Sequence, residues 1–145
     1  MDENIELLEY IYKNSEMAVF TLNKLIRDLN GLENKIKKTV QDEIIEYEKF
    51  LKTSKKLIKK SDEELKSNGI MAKMGASMGI KKEVDKDNSD AAIAHMLTEG
   101  ITMGIVDMET KIKNYSDSVD RKVIKLAKDF LKYQQEELER LKEFM

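Results

Sequence analysis

The sequence predicts an all-α fold: a four-helix bundle with one long connector between its second and third helices. Three observations carry that reading. Apolar residues recur at alternating spacings of three and four along every long segment, proline is absent, and 37% charged residues stand against 41% hydrophobic ones, the balance of amphipathic helices. The alternation that marks a strand is nowhere sustained. At 145 residues the chain has the length of one domain, spanning 1–145, and can bury a continuous core without cross-links.

The first helix is expected over about 3–29, where Ile5, Leu8, Tyr12, Ser15, Val19, Leu22, Ile26 and Leu29 form one seam. Asn30-Gly31 ends it, because both residue types tolerate the left-handed conformation of a helix terminus. A second helix follows over about 33–60, with Ile36, Val40, Glu43, Tyr47, Phe50, Ser54 and Leu57 on its inner seam. A turn this short makes the two helices antiparallel neighbours.

Residues 61–88 form the connector. Ser61-Asp62-Glu63-Glu64 reads as a capping box for a short helix that Asn68-Gly69 would end, and the segment is long enough to run the length of the bundle. The third helix, about 90–113 and capped by Ser89-Asp90, carries apolar residues on more than one face and is expected to be the most buried. Asn114 to Asp117 makes the next turn. The fourth helix then runs from about 118 to the end, with Val123, Ala127, Phe130 or Leu131, Gln134, Leu138 and Leu141 inward.

Composition excludes several kinds of chemistry. Without cysteine there can be no disulfide, thiolate metal site or thiol nucleophile. Lys and Arg total 26 against 28 Asp and Glu, which argues against nucleic acid as a partner, and the basic run Lys52 to Lys60 reads as a solvated helix face. The acidic start MDENIELLEY does not resemble a secretory leader, and no apolar run approaches the roughly 18 residues that membrane insertion requires. A cytoplasmic protein is expected. No Gly-rich phosphate loop is present, and no His stands with a Ser and an acid.

The residues that invite a functional reading are polar ones on inner seams. Glu43 and Gln134 lie on the seams of the second and fourth helices, Glu16 lies between Tyr12 and Val19, Glu46 follows Glu43 by one turn, and Glu99 shares a face with Met96 and Met103. Counted from the hairpin turns, all five arrive at similar heights, so four carboxylates and an amide are expected near one mid-bundle level. Such a cluster must be neutralised by cations, protonated or bound to metal. The alternative is that some of these glutamates rotate to the surface.

This pattern resembles the ferritin-like and rubrerythrin-like bundles. Those proteins place Glu on the first helix, Glu-x-x-His on the second, Glu on the third and Glu-x-x-His on the fourth, around two iron or manganese ions. By resemblance Glu16, Glu43 and Glu99 take the places of metal ligands, Glu46 stands where the second-helix His would be, and Leu131 and Gln134 replace the fourth-helix pair. The departures are the two missing histidines and Leu131 in place of a carboxylate. His95, the single histidine, is four residues before Glu99, a spacing that suits two ligands on one helix face but also an ordinary surface residue.

A different class of function stands beside the metal reading. The connector residues Ile70, Met71, Met74, Met78 and Ile80 are more apolar than a flexible linker needs, which points to a helical assembly module: a homo-oligomer, or a protein partner seated on this face.

Overall fold

A computed structural model describes residues 2–145. Helix accounts for 81% of the residues, with no strand among those described. The described residues form five helices, α1 (Glu3–Asp28), α2 (Lys37–Lys60), α3 (Ile70–Lys86), α4 (Asp90–Tyr115) and α5 (Arg121–Leu141), followed by a 3-10 turn at Lys142–Phe144. None is long and apolar enough to cross a membrane.

The ends of the helices follow from local chemistry. Asp2 starts α1 by accepting the Asn4 backbone N–H at 2.7 Å, and Ser89 starts α4 by accepting that of Ala92 at 3.2 Å. After α1 the chain reverses through Gly31, whose φ of 83° is the conformation that glycine adopts without strain.

The expected capping box at Ser61 does not form. The Ser61 hydroxyl donates back to the Leu57 carbonyl, so Ser61 closes α2 and cannot open another helix, and Asp62 turns left-handed at φ 57°. Residues 63–69 are irregular, and helix resumes only at Ile70. The connector therefore holds a fifth helix of 17 residues, placed later than the sequence suggested.

Polar ties between loops define the topology. Asn34 donates to the Asn88 carbonyl at 2.8 Å and to Asp90 at 2.9 Å, which pins the α1–α2 turn to the start of α4. At the opposite end the Asp120 N–H donates to Asn4 at 2.7 Å, and the Tyr115 hydroxyl donates to Glu6 at 2.8 Å. Helices α1 and α2 thus form one antiparallel hairpin and α4 and α5 another, while the irregular segment 63–69 leads from the end of α2 to the middle of α1, where Asn68 bonds Glu16, and α3 continues along α1 toward the start of α4. At 1.5 Å per residue it is about 25 Å long and runs beside the second half of α1.

The core follows the seams. Ile5, Leu8, Tyr12, Leu22 and Leu29 are buried as their spacing implies, and Leu7, Ile11 and Leu25 form a second buried stripe because α1 meets α2, α3 and α5. Burial is less complete in α4 than expected: Ile93, Ile101, Ile105 and Met108 face inward, but Met103 and Val106 lie on the outside. This helix packs along α5 and approaches α1 only narrowly, which leaves space between α1 and α4.

Candidate functional site

Two carboxyl groups sit in the core where α2 meets α5. Glu43 follows Val40 and precedes Tyr47 on the inner seam of α2, and Glu137 lies one turn beyond Gln134 on α5. They are 1% and 2% exposed, so neither can be solvated by bulk water. The two share a hydrogen bond, and Arg140 donates through Nε to Glu137 Oε1 at 2.5 Å. Burial, then the hydrogen bond to Glu137, then the charge of Glu137 push the Glu43 carboxyl up to about 10, with Arg140 opposing. Glu43 is therefore protonated at neutral pH, and one proton plus one guanidinium make the trio electrically neutral.

Aromatic rings hold this trio in place. Tyr47 meets Tyr133 edge-on at 5.6 Å, and Phe130 meets Tyr47 at 6.0 Å and Phe50 at 5.0 Å, so aromatic packing fixes the α2–α5 seam immediately to one side of the carboxyls. Burial, reinforced by the neighbouring carboxylates, holds the Tyr47 and Tyr133 hydroxyls well above the ordinary phenol value. Gln134 Nε2 reaches the Tyr47 hydroxyl at 3.5 Å, while Gln134 Oε1 is buried with no hydrogen-bond partner among the described residues, and Glu43 Oε2 and Glu137 Oε2 are buried with no N–H or hydroxyl donor beyond the proton the two carboxyls share. Gly104 of α4 makes room for this arrangement, since a Cβ there would stand 3.0 Å from Gln134 Nε2.

Above Glu43 opens a cavity of about 500 Å³. Its walls are apolar, from Met17, Ala18 and Leu22 of α1 and Met96, Leu97 and Ile101 of α4, and Ile80 of α3 closes one side. Glu43, Tyr47 and Gln134 are the polar groups at its floor. A polar groove of about 420 Å³ lies on the outer face of α2 and α5, lined by Glu46, Glu137 and Arg140 among others. The carboxyl pair spans the wall between the two spaces: Glu43 lines the inner one and Glu137 the outer one.

Of the five residues expected at one level, the structure brings only Glu43 and Gln134 to this site. Glu16 points toward the connector, where its carboxylate accepts the Asn68 backbone N–H at 2.8 Å and the Asn68 amide at 3.1 Å and pairs with Lys73 at 3.5 Å. Its partial burial would raise its pKa, but the hydrogen bonds from Asn68 and Ser67 and the charge of Lys73 outweigh that and hold it below the usual range.

Glu46 lies on the outer face, paired with Lys49 at 3.0 Å. Glu99 is exposed and pairs with His95 at 3.0 Å, so these two form a surface contact. The expectation that Glu46 and Glu99 face inward is thus corrected. Each is a fraction of a turn away from its seam, and α4 turns the face that carries Met103 outward. Among the described residues no group of three His, Cys, Asp or Glu side chains could hold a metal ion. The residues do not fit the iron or manganese centre that the family resemblance implies.

Sequence reasoning missed Glu137 and its partner Arg140. The signal was present, because Val123, Ala127, Phe130, Gln134, Glu137 and Leu141 alternate by four and three, and that seam passes through Glu137 and bypasses the half-buried Leu138. On the connector, Ile70, Met71, Met74 and Met78 are exposed, whereas Ile80 packs against the core. Compared with known proteins, the chain matches no family model, no curated protein and no solved structure.

Proposed function

We propose that this chain is a binding protein for a small, largely apolar molecule lodged between α1 and α4. The observation that carries this reading is the cavity of about 500 Å³ with apolar walls and three buried polar groups at one end. Ligand sites have this size and this distribution of polarity, and in helical bundles they form between helices. An unfilled apolar space also lowers stability, so an occupant that fills it stabilises the fold.

The test is a titration with 1-octanol followed by thermal melting. Wild-type protein should melt at a higher temperature as alcohol is added. The Gly100→Leu variant should not respond, because Gly100 lines the cavity with open space where a side chain would go, and leucine improves helix propensity there. An equal response in both proteins would contradict the reading.

A second reading rests on the α3 face, where Met71 is 87% exposed and Met78 is 68% exposed. Unpaired thioether side chains in one helical stripe suit self-association or a protein partner. The crossover through α3 also supports a ferritin-like relation of fold, one in which the metal ligands have been replaced by an apolar cavity.

A further inference from the structure

We infer that the molecule taken up in the cavity carries a protonated amine, and that it enters in exchange for the proton on Glu43. This inference rests on the cavity being a ligand site. At the floor, Gln134 Oε1 is a buried acceptor without a donor among the described residues, the buried Glu43 carboxyl lines the same space, and the Tyr47 oxygen lies beside Gln134. A ligand that fits must therefore donate. An ammonium carries three donors for these three oxygens, an alcohol carries one, and a carboxylate would add an unmatched anion to a buried site.

Charge points the same way. In the empty protein the buried trio is neutral, because Arg140 matches Glu137 and Glu43 holds its proton. When an ammonium R–NH3⁺ arrives, the Glu43 carboxylic acid becomes a carboxylate paired with it, and one H⁺ leaves. The total charge does not change. The departing proton has a path through the hydrogen bond from Glu43 to Glu137, which borders the outer groove.

The other groups that face Glu43 do not titrate in the neutral range. From α5 these are Arg140, which stays charged, and Tyr133. From α2 there is Tyr47, and from α1 there is Tyr10, whose hydroxyl burial raises to about 12. Lys13 on the cavity rim is held by Glu9 at 3.3 Å, and the α4 and α3 walls bring no charged group.

The experiment is calorimetric titration of the full chain with octylammonium, 1-octanol and octanoate between pH 6 and 9, in two buffers of different protonation enthalpy. Octylammonium should release about one proton per molecule bound, and its association constant should rise about tenfold per pH unit. The alcohol should bind more weakly and without pH dependence, and octanoate should bind weakest of the three. Glu43→Gln, whose intact fold is checked by its melting curve, should lose the proton release and bind octylammonium about 10- to 100-fold more weakly. If amine and alcohol bind alike with no proton released, the cation exchange is overturned and the cavity reading stands. If none of the three binds, both are overturned.

Discussion

Replacing Glu43 by glutamine should stabilise the protein, by an amount that grows with pH. In the unfolded chain this carboxyl titrates near its ordinary value of 4.5, and in the folded protein burial pushes it up to about 10. Between those values the folded state holds one proton more than the unfolded state. The stability that Glu43 supports is therefore fully present below about pH 4.5 and declines as pH rises toward 10. The slope is about 1.4 kcal/mol per pH unit, so the deficit at pH 7 amounts to about 3 kcal/mol.

Glutamine has the same shape, can donate to Glu137 as the protonated acid does, and has no proton to lose. Urea unfolding at pH 5, 6, 7, 8 and 9 should show wild-type stability falling steadily while the Glu43→Gln curve stays nearly flat, the two separating by about 3 kcal/mol at neutral pH. The depressed carboxyls of Glu16 and Asp90 have the opposite sign: their contribution is present above the ordinary carboxylate range and is lost only in acid, so it does not overlap this window. Parallel pH profiles for the two proteins, or a variant less stable than wild type at pH 7, would refute the reasoning.

Three further outcomes follow from the same geometry. Gly100→Ala should stabilise the protein by up to about 1 kcal/mol, because a Cβ there meets nothing within 4 Å, whereas Gly104→Ala should forgo that gain by displacing Gln134; chemical denaturation of the two variants makes the comparison. Asn68→Ala removes the amide that donates to the Lys13 carbonyl at 2.7 Å and to Glu16 at 3.1 Å. Loss of about 1–2 kcal/mol of local stability should appear as faster amide hydrogen exchange across α3 with little change in α2. Met74→Glu combined with Met78→Glu should weaken any self-association seen in sedimentation without lowering helix content, since both side chains are exposed.

The inner seams were legible because three-and-four spacing fixes which residues share a helix face, and it placed Glu43 and Gln134 in the core correctly. The same rule left Glu46 and Glu99 ambiguous. Glu46 is only one turn from Glu43, yet the intervening rotation carries it past the core edge to Lys49. On α4 apolar residues surround the helix, so the pattern alone could not say that the Met103 face turns outward. The connector was read as crossing the bundle, but the position of its helix depends on contacts distant in sequence: Asn68 is held by Glu16, 52 residues away, and Ser61 is already engaged with α2. The cavity could not be foreseen, because it arises from the distance between α1 and α4.

The most direct test of ligand binding between α1 and α4 is methyl NMR of the methionines during titration with 1-octanol. The chain has nine methionines, and the structure divides them usefully: Met17 and Met96 line the cavity, while Met71, Met74, Met78 and Met103 are exposed on the outside. Saturable shifts at Met17 and Met96, with the four outer methyls unmoved, are the predicted result. Shifts confined to the outer methyls, or none at all, would contradict it.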